Sequence, residues 1–352
     1  MSLKQRLEAR ILQDGPLTID DYMTACLHDP QGGYYATRPA LGDEGDFVTA
    51  PLISQMFGEL IGLWCVEVWS RMGAPRAFRL IEMGPGDGTL MSDILRAAHL
   101  IPAFGIAAEL WLVETSDPLR KAQAERLEEA APHWASTLSE IPVGLPLIIV
   151  SNELLDCLPV RQFVRTDTGW AERRVGLDEA GALSFGLAPP PADLGLPPAP
   201  AGVMVEVSAG QIALGAEVGA RIAQDGGAAL FIDYGRDRPE PGDTLQALSR
   251  HEKVGVLDCP GEADLTVHAD FPAFAAAARA MGVETTPIRP QGSFLRALGI
   301  EQRAAALSRS RPDRAETLKG QLARLCDADE MGALFKVVAI HSPGLPVPGF
   351  ED

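Results

Sequence analysis

Phe78-Arg79-Leu80-Ile81-Glu82-Met83-Gly84-Pro85-Gly86-Asp87-Gly88-Thr89-Leu90 is the stretch that decides the fold. An apolar run of strand character, Phe78 to Ile81, ends in Glu82 and enters three alternating glycines. A helix-like segment, Thr89 to Ala98, follows at once. Strand, glycine turn and helix N-terminus together make a cradle for a polar cofactor, because glycine lets the backbone approach and the free N–H groups point at the ligand. The spacing is E-x-G-x-G-x-G rather than G-x-G-x-x-G, with Thr89 where the dinucleotide pattern has its last glycine. An acid ahead of the first glycine repels a pyrophosphate and pairs with an ammonium. That chemistry suits the amino-acid end of S-adenosylmethionine (SAM).

Outward from this loop, Glu109 to Glu114 reads as a second buried strand ending in an acid. Glu114 stands 26 residues after Gly88, near the place where a Rossmann-like βαβ unit puts the carboxylate for ribose hydroxyls. NAD uses such an acid too, so these residues alone leave an NAD-linked oxidoreductase open. The acid-led glycine loop and the lack of an obvious hydride-transfer His or Tyr-Lys pair weigh against it.

The rest of the chain is an α/β succession. Asp117 to Ala131 reads as a helix. Thr137 lies near a short edge strand, and Pro146 to Ser151 is a buried parallel strand with Asn152-Glu153-Leu154-Leu155-Asp156 at its carboxyl end. Residues 159–188 alternate like antiparallel strands, and residues 188–200 form a Pro-rich connection. The rhythm resumes with a strand at Val203 to Val207, a helix at Gln211 to Gln224 and a strand at Gly227 to Tyr234. A helix at Phe271 to Met281, a strand at Val283 to Ile288, helices from Gln291 to Leu325 and a final edge strand, Phe335 to Ile340, complete it. Ahead of the core, residues 1–75 read as a helical extension. Thr18 caps a helix at Ile19 to Leu27, a Gly/Asp-rich loop from Gly42 to Thr49 offers a lid over the cofactor, and Ser54 to Met72 is a long apolar helix. The expected organisation is extension 1–75, core 76–158, insertion 159–202 and second core part 203–352.

The 352 residues carry 30 Lys and Arg against 48 Asp and Glu, a net charge of −18, which sets nucleic acid aside as a partner and suits a cationic substrate. The five Cys are scattered without a C-x-x-C pair, so no metal site is expected and they read as buried thiols of a reducing compartment. No run reaches the roughly 18 apolar residues of a membrane span. Met1 to Gln13 lacks a signal-peptide core and carries Glu8, so cytoplasm is the expected location.

The blocks GDFVTAPLISQMFGELIG (45–62), EMGPGDGTLMSDILR (82–96), SNELLDCLPVRQF (151–163), GGAALFIDYG (226–235), GDTLQA (242–247), DLTVHADF (264–271), QGSFLRALGI (291–300) and MGALFKV (331–337) resemble the MidA-like family of class I SAM-dependent methyltransferases. The resemblance spans nearly the whole chain in unchanged order. It implies a Rossmann-like seven-stranded methyltransferase sheet with an N-terminal helical extension and an inserted subdomain. It also implies methylation of an arginine on a protein. In the mitochondrial members that protein is a complex I subunit whose assembly they serve, in the mitochondrial matrix.

By motif position, Glu82 is expected to steer the methionine ammonium, while Gly84, Gly86 and Gly88 pass under the cofactor and Glu114 holds the ribose. Thr49 is expected to close over the methionine end, and Trp134 or Ser136 marks the adenine side. An arginine acceptor is planar and cationic, and carboxylates are its natural clamp. Glu153 is the first candidate for that clamp, with Asp156, Glu206 and Asp233 behind it. His251, His268 and Asp270 are candidates for the substrate mouth. A non-catalytic assembly factor that binds SAM without turnover is the remaining alternative.

Overall fold

The computed structural model describes residues 1–37, 49–190, 195–249 and 252–351. The Gly/Asp-rich loop up to residue 48 and His251 lie outside the described residues.

Among the described residues, seven strands form the main path of the main sheet: β1 (Phe78–Met83), β2 (Ala108–Val113), β3 (His133–Ala135), β4 (Leu147–Asn152), β5 (Gly227–Arg236), β6 (Glu284–Thr285) and β7 (Phe335–His341). Their order across the sheet is β6-β7-β5-β4-β1-β2-β3, with β7 antiparallel to β5 and the pairs from β5 through β3 parallel. Two-residue strands at Ala269–Asp270 and Arg289–Pro290 attach beside β5 and β7. The strand order reverses at β1 and β4, the place where an open α/β sheet leaves a crevice at the carboxyl ends of its strands. The central strands β1, β4 and β5 are buried along their whole length, including Arg79, Glu82 and Asp233, as a sheet covered on both faces requires.

Helices supply the two covers. One apolar core holds α3 (Gln55–Arg71), α4 (Thr89–Ala98) and the C-terminal helices against one face. The other holds α6 (Ala209–Asp225) and α7 (Phe271–Arg279) against the opposite face, and the helix α5 (Asp117–Arg126) follows β2. The helices α3 and α4 come within backbone distance at Gly58, where a Cβ would stand 2.4 Å from the Asp93 Cβ, so only glycine fits.

Three expectations change. The strand at Phe335–His341 is not at the edge: it lies between β5 and β6 with every residue buried. The expected strand at Val283 to Ile288 shrinks to Glu284–Thr285. The strand Met204–Val207 does not return to the main sheet. It pairs with Arg161–Thr166 in an antiparallel sheet that also takes in Gly169–Leu177, Leu183–Ala188 and Leu17–Thr18. Its apolar alternation fits either sheet, and only the partner strand decides between them.

A third apolar core lies under this second sheet. It joins helix α1 (Leu3–Asp14) and helix α2 (Ile19–His28) to Val160, Val175 and the strand Asp264–Thr266, which belongs to a small three-stranded sheet with Gln246–Ser249 and Glu252–Val254. Thr18 caps α2 in a reciprocal capping box with Asp21, and Tyr22 donates from its hydroxyl to the Val256 carbonyl at 2.8 Å. The N-terminal extension is thereby tied to the inserted sheets rather than to the main one.

Candidate active site

The carboxyl ends of β1, β2 and β4 open into a cavity of about 470 Å³. Its cofactor-like half is the glycine loop. Gly84, Gly86 and Gly88 all adopt positive φ, at 66°, 55° and 83°. At Gly84 a Cβ would also stand 3.0 Å from Leu154 Cδ1, so a side chain meets both backbone strain and a wall. Asp87 Oδ1 accepts from the Thr89 amide at 3.0 Å, and Asp87 Oδ2 is paired with Arg126 at 2.8 Å.

Glu82 lines the cavity at 2% exposure, and its Oε2 is buried with no hydrogen-bond partner. Burial, reinforced by Asp87 and Glu114, pushes its carboxyl up to about 8. A buried oxygen without a partner is costly, and a ligand ammonium removes that cost. Glu114 follows β2 directly, with Oε1 accepting from the Thr115 and Ser116 amides at 2.7 and 2.8 Å, and burial raises its pKa.

One residue that the sequence did not single out joins these parts. Gln123, on α5, is fully buried. Its Nε2 donates to the Gly86 carbonyl at 2.7 Å and to Glu114 Oε2 at 3.3 Å, while its Oε1 accepts from the Trp134 indole at 2.9 Å. Trp134 is thus spent on Gln123 and does not line the cavity, whereas Ser136, Thr137 and Leu138 do. A Gln in a polar helix gives no sequence signal of its own, because its partners lie on three different elements.

The other half gathers around the end of β4. Glu153 has φ of 55°, unusual for a residue with a side chain. Its Oε1 accepts from Asn152 Nδ2 at 2.8 Å and from the Ala50 amide at 3.2 Å, and burial with the nearby Asp156 pushes it up to about 7. Asp156 lines the cavity as well. The Tyr234 hydroxyl donates to its Oδ2 at 2.6 Å, and burial raises its pKa. Asp233 sits underneath, off the cavity. It accepts from the amides of Leu155, Asp156 and Tyr234 at 2.8, 3.2 and 2.8 Å and so fixes the turn that presents Glu153 and Asp156. Thr49 lines the cavity at the start of the short helix Ala50–Ile53.

Glu206 and His268 are not brought to this site. Glu206 accepts from Arg236 at 2.8 Å, from Gln162 at 2.9 Å and from Thr244 Oγ1 at 2.6 Å, a buried ion pair under the antiparallel sheet. An acid in an apolar strand needs a partner, and here the partner is an arginine of the fold rather than a substrate. His268 stands edge-on to Tyr234, with ring centroids 5.9 Å apart, outside the cavity lining. Asp270 caps α7 through the Ala273 amide. Tyr35 and Asp264, which sequence reasoning passed over, do line the cavity.

Among the described residues, the cavity is lined by seven carboxylates, Glu82, Asp87, Glu114, Glu153, Asp156, Glu217 and Asp264, and by no Lys or Arg. The site is built for ligands that carry positive charge.

The chain is similar to known proteins over most of its length. A model of a family of S-adenosyl-L-methionine-dependent methyltransferases matches residues 60–288. The Drosophila melanogaster "Protein arginine methyltransferase NDUFAF7 homolog, mitochondrial" is 36% identical over 395 residues, covering 99% of this chain and 89% of that protein. The Homo sapiens "Protein arginine methyltransferase NDUFAF7, mitochondrial" is 34% identical over 366 residues, covering 96% and 82%. A solved structure of a COG1565 superfamily member from Burkholderia thailandensis, bound to S-adenosyl-homocysteine, superposes with a TM-score of 0.83 at 29% identity over 99% of this chain and 92% of that one. The unpartnered Glu82 oxygen, the glycine cradle and the carboxylate-rich lining fit the cofactor of that family. This chain belongs to the S-adenosyl-L-methionine-dependent methyltransferases.

Proposed function

We propose that the chain methylates an arginine side chain of a protein, with Glu153 as the clamp on the guanidinium. The observation that carries this is the acceptor half of the cavity. Glu153 and Asp156 stand at the end of β4 and, among the described residues, form no ion pair and share a lining without Lys or Arg. Uncompensated buried carboxylates are expensive unless a cation completes them. The names of the relatives, protein arginine methyltransferases, support the same acceptor.

In this reading Glu82 takes the cofactor's ammonium, Gly84, Gly86 and Gly88 form the floor, Glu114 takes the ribose hydroxyls, Thr49 covers the methionine end and Ser136 marks the adenine side. When bound, the cofactor supplies a methyl group on an electrophilic sulfonium. Glu153 accepts guanidinium N–H bonds, fixes the plane of the group and draws positive charge away from the attacking nitrogen. The gain is positional, since an in-line displacement needs nucleophile and methyl aligned at close range. Transfer would form an N–C bond as a C–S bond of the bound cofactor breaks, and the attacking nitrogen would shed one proton. Asp156 stands beside Glu153 to receive it. On the family resemblance, the acceptor proposed is a subunit of respiratory complex I or NADH dehydrogenase. The relatives are named mitochondrial; cytoplasm as this chain's own compartment is a separate proposal, tested by cell fractionation.

The deciding experiment uses radiolabelled SAM and recombinant complex I subunits with wild type and Glu153→Gln. The variant is expected to bind SAM within about twofold of wild type and to lose methyl transfer by roughly 100-fold or more. Full activity in the variant removes the clamp, and absence of transfer by wild type to any arginine favours a SAM-binding assembly factor.

A further inference from the structure

The acceptor half is closed by residues from outside the seven-stranded sheet. Tyr35 comes from the N-terminal segment and Asp264 from the three-stranded sheet. The Tyr35 hydroxyl donates to Asp264 Oδ2 at 2.9 Å and lies 3.0 Å from the Cys157 sulfur, while Ser116 Oγ holds the Tyr35 carbonyl at 2.8 Å. Beside them the Tyr234 hydroxyl is bonded to Asp156 Oδ2. Two aspartates are thus each aimed by a phenol. Burial raises both phenols well above their ordinary range, so each stays a neutral donor that orients its carboxylate without neutralising it. Asp156 is only 4% exposed, and its Oδ1 is buried without a hydrogen-bond partner.

The chemistry of the acceptor separates the possible uses of such a pair. A guanidinium spreads five N–H donors over a rigid plane, whereas an ammonium concentrates three at one point. Glu153 can engage two of the five. The remaining donors need acceptors displaced from Glu153, on a different part of the wall. Asp156, beside Glu153 in the same turn, and Asp264, from the three-stranded sheet, line the same cavity and are held by different tyrosines.

We propose that Asp156 and Asp264, each aimed by a tyrosine hydroxyl, form a second carboxylate station of the acceptor half, and that together with Glu153 they select a guanidinium over an ammonium. The proposal rests on the protein-arginine reading and adds the residues that make it selective. Tyr35 from the N-terminal segment and Asp264 from the three-stranded sheet then complete an acceptor half that the main sheet begins with Glu153, Asp156 and Tyr234.

The test is calorimetric titration of the full chain, saturated with S-adenosyl-homocysteine, with N-acetyl-arginine amide and with its lysine and citrulline counterparts. Wild type is expected to prefer the arginine amide to both by at least about tenfold, the range of one charge-assisted hydrogen bond. Asp264→Asn is expected to lose most of that preference with S-adenosyl-homocysteine affinity unchanged. Tyr35→Phe removes a single oxygen, keeps the ring packing, and is expected to move the preference in the same direction by a smaller factor. Variants that keep the full preference overturn the second station alone and leave Glu153 and the arginine reading standing. A parallel fall in S-adenosyl-homocysteine affinity also overturns it, because Asp264 then belongs to the cofactor half. A wild type that prefers the lysine amide, or shows no preference, overturns the arginine reading and the station with it.

Discussion

Glu82 is a carboxyl whose ionisation the fold resists and the ligand rewards. In the folded chain it holds its proton up to about 8, against an ordinary value of 4.5. Between those values the folded state binds more protons than the unfolded one, so its contribution to stability falls as pH rises through the window and levels off above it. Cofactor binding runs the other way. An ammonium needs the ionised carboxylate, so SAM affinity should climb with pH to about 8 and then flatten. Glu82→Gln should bind SAM roughly tenfold more weakly at pH 8 and lose that slope; calorimetry across pH 6 to 9 checks both, and an unchanged slope would place the titrating group elsewhere. This residue was legible in sequence because its neighbours in the chain are its neighbours in space. Glu206 was misleading for the opposite reason: an acid in an apolar strand looks alike whether it faces a substrate or Arg236, thirty residues away.

At the scale of elements, the turn after β4 shows how a strained backbone is kept. Glu153 sits at positive φ because Asp233, reaching over from β5, collects the amides of Leu155 and Asp156 and locks the turn. Asp233→Ala would leave those two amides and that of Tyr234 without their acceptor. It should lower stability by about 2 kcal/mol or more in urea unfolding, and should reduce methyl transfer while leaving SAM affinity nearly intact. An unaltered transfer rate would show that the turn holds Glu153 without this support. The β1–glycine loop–α4 unit, β4 and the capped α2 could all be read from local pattern. The membership of Met204–Val207 and the interior place of β7 could not, since pairing between distant strands leaves no mark within either one. Tyr35 and Asp264 were hidden for the same reason: 229 positions separate the two residues of that hydrogen bond.

Across the whole molecule, stability is divided among three apolar cores, and the third depends on the N-terminus. Leu3, Leu7, Ile11, Ile19, Met23 and Leu27 all bury themselves there against the inserted sheets. A variant lacking residues 1–28 should unfold at least about 10 °C lower and lose cooperativity, because the inserted sheets lose their cover while the main sheet keeps both of its own; scanning calorimetry would resolve the two parts. A single transition at the wild-type temperature would show that the extension is dispensable. The place of β7 has a consequence in time. The strand flanked by β5 and β6 is the last of the seven to be synthesised, so from the moment β5 is made until residue 335 the growing chain carries β5 with one row of backbone donors and acceptors unmatched. Until Phe335–His341 emerges and slots in, the nascent protein is an open template for strand addition by other chains. The exposure ends only when that final strand closes the gap, so the time it takes to arrive sets how long the edge stays open to other chains.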